Sequence, residues 1–458
     1  MKRDQNITYV ACQRALVTVS LCALALFAGK AIAQTDTNRT VISLPWVLEK
    51  TLLSHPQLQT FPYEVRVNEA LTLQAGIRPN PQVSVEVENI LGTGEMQGVN
   101  NAEITLGLSQ LIELGDKRQR RIDLTQASER QILSQYEILR LDILAQATQR
   151  YYQVLRLQAL TDWNLRRIRV EENALKTIES RAKAGAVSAA DVSKMALRLA
   201  RANAFKHQLI GDTQLAKHRL ASMWSSEAQF GKVKGELNTL SQLPTAASVL
   251  NAIETAPQYL QLLSIERVMY ANRRMEEAKA QSDITLGVGI RSYDGFDDGA
   301  LMFNFSMPIS LSNPNQGNIL AAKAKQDMAF EQQKIARSQL KLTLLEIHQA
   351  MVNNAKQAIL LKNELHPLAL RLLKETETAY HAGQVNVLQL ADAQSDLFRV
   401  ERELIEAKVA VYQQQLELER ITGQSMSARQ LDSHSHHVSE AKLQTHSITG
   451  PISAQENK

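Results

Sequence analysis

The sequence predicts a mainly α chain with a small β part, built as two similar halves. Three observations predict it. Sliding the sequence by 197 residues lays Ile104–Ser109 over Leu301–Ser306 and Gly115–Ile122 over Ser312–Ile319, with polar and apolar positions in step. Such self-similarity marks a duplicated unit, here a strand-to-helix junction. On the C-terminal side of each junction runs a very long helical pattern, and on the N-terminal side lie two segments of strict apolar/polar alternation.

The chain in order starts with Lys2, Arg3 and Arg14, an apolar run from Ala15 to Ala28, and Ala31-Ile32-Ala33. This predicts a cleaved secretory signal over residues 1–33. Both cysteines, Cys12 and Cys22, fall inside it, and the bulky Leu21 before Cys22 disfavours a lipoprotein site. The expected mature chain then has no thiol, which excludes disulfides, thiolate metal sites and cysteine catalysis. Removing the signal leaves 47 Lys and Arg against 46 Asp and Glu, a net charge of +1. That balance gives no support to nucleic-acid binding. No later apolar run reaches the eighteen or so residues of a transmembrane helix, so any membrane crossing must be made by strands.

The first repeat is expected over residues 34–222. Residues 44–78 read as helix interrupted at Pro45, Pro56 and Pro62. Strands follow at about 82–90, where Val83, Val85 and Val87 alternate with Ser84, Glu86 and Glu88, and at about 103–112, with a Gly/Asn-rich hairpin loop over 91–101. From Lys117 to Lys183 there is neither proline nor glycine, and Ile132, Tyr136, Leu139, Ile143, Ala147, Tyr151 and Val154 recur at helical steps. At 1.5 Å per residue this run reaches roughly 100 Å. A tip at about 184–187 turns into a second helix from Ser188 to about Ser222, and residues 223–245 read as irregular.

The second repeat is expected over 246–423, beginning with helix over 246–280. It has strands at about 283–291 and 300–309 joined by a loop at Asp294–Gly299. One long helical run covers Gln316–Tyr380, with a tip at about 381–384 and a last helix from Val385 to Thr422. The tail 424–458 is polar and expected to be disordered. Strands of this length can cross a tilted bilayer path. Four strands, however, cannot close a barrel, and an open edge cannot face lipid. Either several copies share one barrel or the strands form two ordinary hairpins outside a membrane. Helices this long cannot bury themselves alone and must pair as coiled coils.

Asn80-Pro81 through Val83–Asn89, Leu108-Ser109-Gln110 with Glu113–Arg118, and Pro308 with Asn315–Asn318 carry a resemblance over nearly the whole mature chain. They resemble the TolC-type outer-membrane efflux factors, and within these the cobalt-zinc-cadmium branch. That branch commonly has Gly-Gly-Lys-Arg where this chain has Gly115-Asp116-Lys117-Arg118. The resemblance implies a homotrimer in which three sets of four strands build one twelve-stranded barrel in outer-membrane lipid. The helical hairpins would form a periplasmic tunnel. It further implies a passive conduit partnered by a periplasmic adaptor and an inner-membrane RND pump, with divalent heavy-metal cations as cargo, no cofactor and no enzymatic activity.

Around the tips, Arg181, Gly185 and Asp191, then Tyr380, Gly383 and Asp392, fall at the family's spacing. Arg181, Gly185 and Gly383 would serve adaptor docking. In the family the aspartate matching Asp191 bonds to the tyrosine matching Tyr380 and latches the closed end. Asp392 would line the constriction, where Gln389 replaces the first of the family's two pore aspartates and Val385 replaces an arginine.

Other features carry less. Glu86 and Glu88 share a strand face and could ring the barrel lumen, although any lumen face is polar. His434, His436 and His437 have a spacing able to hold Zn²⁺ weakly, but in a tail expected to lack structure. Gly287-Val288-Gly289 lies in a strand pattern with Ser292 at the third glycine position of a dinucleotide fingerprint, so it is not one. The alternatives are an outer-membrane factor for organic efflux or type I protein secretion, and a non-transporting periplasmic coiled-coil scaffold.

Overall fold

The computed structural model describes residues 41–94, 97–99, 101–237, 243–294, 298–309 and 311–425. The expected signal peptide with Cys12 and Cys22, most of the tail with His434, His436 and His437, and Gly295–Asp297 of the second hairpin loop lie outside them.

Along the chain the elements are β1 (Val41–Ile42), α1 (Leu44–Ser54), α2 (Pro56–Ala75), β2 (Gln82–Glu88), β3 (Glu103–Ile112), α3 (Lys117–Lys183) and α4 (Ala189–Ala221). Then come β4 (Lys232–Val233), α5 (Ala246–Asn251), α6 (Pro257–Lys279), β5 (Ile284–Tyr293), β6 (Asp298–Ser306) and α7 (Gln316–Leu360). A π-helical turn at Leu361–Leu365, α8 (His366–His381) and α9 (Val387–Thr422) complete it. The chain forms two compact units, one of residues up to Pro56 with Ala147–Glu236, the other of Gln57–Gln146 with Leu237 onward.

Two local expectations are corrected. Pro62 lies inside α2 and does not end it. The lost amide hydrogen bond is offset by side-chain anchoring: Phe61 stacks on Tyr136 at 3.9 Å, and Asn68 Nδ2 donates to the Thr125 carbonyl at 3.2 Å. Conversely, the single run Gln316–Tyr380 is split by the π-turn immediately before Pro367. Proline has no N–H and its ring collides with the carbonyl four residues back, so one wider turn accommodates it. Leu361, 2% exposed, pins that turn into the core with Ala358 and Ala407.

In the first unit α3 and α4 form a helical hairpin. Trp163 meets Phe205 edge-on at 6.2 Å, and Asn164 Nδ2 donates to the Ala202 carbonyl at 2.9 Å. Glu171, only 1% exposed, accepts from Arg198 at 3.1 Å with Arg167 at 3.7 Å. The stretch expected to be irregular supplies β4, which pairs in parallel with β1. Tyr151 sets its hydroxyl against the Lys234 and Ile42 carbonyls, and burial pushes its pKa up to about 12.

In the second unit the apolar core joins Val249 and Ile253 to Leu344 and Met351 of α7 and to Val411, Leu418 and Ile421 of α9. Arg420 of α9 reaches Asp142 at 2.7 Å and Glu417 at 2.6 Å, so its guanidinium is held protonated even more firmly than usual. The four long strands form one sheet in the order β2-β3-β5-β6, antiparallel throughout. Among the described residues β2 and β6 are its open edges.

Candidate functional site: the sheet, its junctions and the helical tips

Residues directly opposite in an antiparallel ladder share a face, so the register sorts every side chain of the sheet. Val83, Leu108, Val288 and Phe303 form one row, and Val85, Leu106, Ile290 and Leu301 the next. Val87, Ile104, Leu286 and Phe305 lie on the same face. All twelve are exposed, up to 77% for Phe303. A protein in water does not leave a face of this size uncovered. The opposite face carries Ser84, Glu86, Glu88, Glu103, Thr105, Gly107, Ser109, Thr285, Arg291 and Asn304, with Leu111, Tyr293 and Met302 as its large apolar members.

On that polar face, Arg291 of β5 reaches Glu88 of β2 at 2.8 Å and Glu103 of β3 at 2.7 Å, and donates to Thr105 Oγ1 at 2.8 Å. Glu88 is therefore one arm of an ion-pair clamp across three strands. Glu86 lies one row away, opposite Thr105 and exposed.

The first strand-to-helix junction turns through Gly115 and Asp116, both left-handed at φ 71° and 57°. A Cβ on Gly115 would stand 2.7 Å from the Gln281 side chain, so glycine is required there. Asp116 occupies the second left-handed position, which aspartate tolerates better than most residues. Lys117 then pairs with Asp283 at 2.7 Å, and the Leu114 amide donates to the same carboxylate oxygen at 3.0 Å. Arg118 and Arg121 donate to the Gly76 and Ala75 carbonyls, satisfying the end of α2.

Arg121 also grips Glu113 with both guanidinium nitrogens, and these hydrogen bonds hold the Glu113 carboxyl below its ordinary range. A carboxylate with a lowered folded pKa contributes stability that is full above the unfolded value of about 4.3 and is lost as pH falls through the folded value. Glu113→Gln should thus lower the melting temperature of the purified protein at pH 7 and change it little at pH 3. Equal shifts at both pH values would show that the pair acts by packing rather than charge.

The two tips are built alike. Gly185 and Gly383 share φ 73°, and each closes its helix with a paired bond: Ala186 N to Arg181 O and Gly185 N to Ala182 O at the first, Gln384 N to Ala379 O and Gly383 N to Tyr380 O at the second. This double closure needs a left-handed residue at the glycine position. Three residues later a reciprocal cap starts the next helix, Ser188 with Asp191 in α4 and Asn386 with Gln389 in α9. Arg181 is exposed at the first tip. Gly185→Leu or Gly383→Leu should cost about 1–2 kcal/mol at the turn, read as a lower melting temperature of the purified protein. Unchanged melting would show that the left-handed conformation at these turns contributes nothing to stability.

The remaining predicted residues lie on either side of those caps. The Asp191 carboxylate accepts from the Ser188 amide at 3.2 Å and hydroxyl at 2.8 Å. Tyr380 is 6% exposed, with its ring against His381 at 5.8 Å. Asp392 points outward between the buried Ala391 and Ala393, one turn beyond Gln389. Sequence reasoning missed Arg291, Asp283 and the buried Glu171. Only Arg291 left a trace: it is the one basic side chain in any of the four strands.

The outer membrane efflux protein family matches residues 47–226 and 271–424. The cobalt-zinc-cadmium resistance protein CzcC of Cupriavidus metallidurans is 23% identical over 427 residues, covering 90% of this chain and all of that protein. A membrane protein of Pseudomonas aeruginosa superposes with a TM-score of 0.70 at 17% identity, over 83% of this chain and 92% of the other. CusC, described for transmembrane channel formation, superposes with a TM-score of 0.62 at 13% identity, over 83% of this chain and 91% of the other. These likenesses fix the mainly α fold with a membrane β part. A lipid-ready sheet, two capped helical tips and a match across both repeats lead to one conclusion: the chain belongs to the outer membrane efflux protein family.

Proposed function

We propose that three copies of this chain assemble into the outer-membrane conduit of a tripartite RND efflux system that exports divalent heavy-metal cations such as cobalt, zinc and cadmium. The observation that carries the conduit is the sheet: one face is dominated by exposed apolar side chains, the other is mostly polar, and among the described residues both edges are open. In lipid such edges must be paired, and pairing β6 of each copy with β2 of the next closes a barrel without any further element. Its polar face then lines the lumen, with Glu86 and the Arg291 clamp among the lining groups. The metal cargo is supported by the likeness to the cobalt-zinc-cadmium resistance protein.

The helical hairpins form the periplasmic tunnel, and the tips at Arg181, Gly185 and Gly383 meet the periplasmic adaptor, which joins the conduit to the inner-membrane pump. Asp392 of three copies forms a carboxylate ring at the closed end, where Gln389 adds no second charge, and Asp191 with Tyr380 holds that end shut. Like charges in a narrow aqueous pore attract multivalent cations. Asp392→Asn should reduce block of the reconstituted pore by hexamminecobalt, and Tyr380→Phe should raise resting conductance. Unchanged block with intact trimers would remove Asp392 from the gate.

The test of the whole reading is deletion and complementation. Loss of the gene should raise cell-associated zinc, cobalt or cadmium during challenge, and the protein should migrate as a heat-modifiable trimer from outer-membrane fractions. Unaltered metal content with raised sensitivity to organic compounds would assign the conduit to organic efflux, and recovery from the soluble periplasm would end the conduit reading.

A further inference from the structure

Within the first unit, a groove of about 470 Å³ lies between α3, α4 and the segment that leads into β4. Sites for small molecules span about 300–1,000 Å³, so the groove is of that size. Its outer wall is fixed by the chain itself. Gln158 of α3 accepts from the Val233 amide at 2.8 Å and donates to the Val233 carbonyl at 3.1 Å. Phe230, 8% exposed, tilts against Trp224 at 6.3 Å, and the Lys217 ammonium stands 6.0 Å from its ring centroid. A wall held this way costs a ligand little ordering on binding. One polar group in the lining is left unmet. Thr161 satisfies its hydroxyl on the Leu157 carbonyl of its own helix at 2.7 Å. The Thr213 hydroxyl is buried and has no hydrogen-bond partner among the described residues. A buried hydroxyl in that state destabilises the fold unless a partner meets it.

Charge decides what such a partner carries. Lys217, Lys232 and His218 line the groove against one carboxylate, Asp162. Among the described residues neither lysine lies in an ion pair. Two ammonium groups beside the apolar surface of Ile210 and Phe230 suit a molecule with an anionic head and a flat apolar body. A hydrophobic cation would meet two like charges for one opposite charge. We propose that this groove binds a small organic anion, its carboxylate or phosphate between Lys217 and Lys232, an oxygen accepting from the Thr213 hydroxyl, and its apolar body on Phe230 and Ile210. The site goes beyond the conduit reading and does not depend on it, since no lining residue belongs to the four-stranded sheet or to the tips.

The test is calorimetric titration of the full chain, purified from outer membranes, with 2-naphthoate and with 2-naphthyl phosphate. At least one should bind saturably, one molecule per chain, and raise the melting temperature. 2-Naphthol, which lacks the charge, should bind about tenfold more weakly, and Lys217→Gln should weaken the anion by about tenfold. Thr213→Val should weaken the anion and, in the same protein without probe, raise the melting temperature, because a methyl of the same shape removes the unmet hydroxyl. A Thr213 with a merely structural role would not move affinity and stability in opposite directions. Failure of both anions to bind overturns the site, as does equal binding of 2-naphthol or tighter binding of 2-naphthylmethylamine. Anion binding unchanged in both Lys217→Gln and Thr213→Val lies elsewhere and overturns it as well. Trimer migration and cellular metal content, on which the conduit stands, are read separately and are unaffected by any of these results.

Discussion

Lysine at Val85, Leu106, Leu286 or Phe303 should sharply reduce the yield of assembled protein, whereas lysine at Ser84, Thr105, Thr285 or Asn304 should be better tolerated. The first four share the apolar face of the ladder and the second four its polar face. A lysine on the lipid side near the bilayer midplane costs about 2–4 kcal/mol, and a trimer carries three. Within the tolerated set Thr105→Lys should be the costliest, since Thr105 accepts a hydrogen bond from Arg291. The readout is the fraction of heat-modifiable trimer in outer membranes. Equal losses in both sets would mean that the sheet does not present this face to lipid.

Arg198→Ala should destabilise the first hairpin by about 3–5 kcal/mol, because it strands a buried carboxylate. Glu171 is 1% exposed, and its remaining cation, Arg167, stands at 3.7 Å. The double variant Glu171→Leu, Arg198→Leu should recover most of the loss, since replacing both charges by apolar groups removes the desolvation cost along with the attraction. Protease cleavage between Lys183 and Ser188 and thermal melting both report the difference. Equal melting of single and double variants would show that the pair is solvated in the assembled protein.

The fold class was legible because each level of the sequence pointed the same way. Alternation in Val83–Glu88 set the strand faces, the absence of proline and glycine from Lys117 to Lys183 allowed one helix, and Gly185 and Gly383 marked the turns. Periodicity failed where a single residue competed with its surroundings. Pro62 predicts a break that the Phe61–Tyr136 stack overrides, and Pro367 produces a break that the apolar pattern on either side conceals. The site was legible only in part, for a different reason. Arg291 stands about two hundred residues from Glu88 and Glu103, and Asp283 comparably far from Lys117. Pairings at that range are set by strand register, which one sequence does not display without its partners.

The register of β3 on β5 also dictates an order of events as the chain matures. Glu103 pairs with Tyr293 and Ile112 with Ile284, so the central ladder closes a loop of well over a hundred residues. Each helical hairpin, by contrast, brings together residues on adjoining helices around a tight turn, as Glu171 and Arg198 do. Contacts close in sequence form much faster than contacts that must first close a long loop. The water-compatible hairpins can therefore be complete while the strands are still separate, and the sticky sheet comes into being last. A chain stalled between those stages exposes two unpaired hairpins with apolar faces, the species most prone to aggregate and the one a periplasmic chaperone would have to hold.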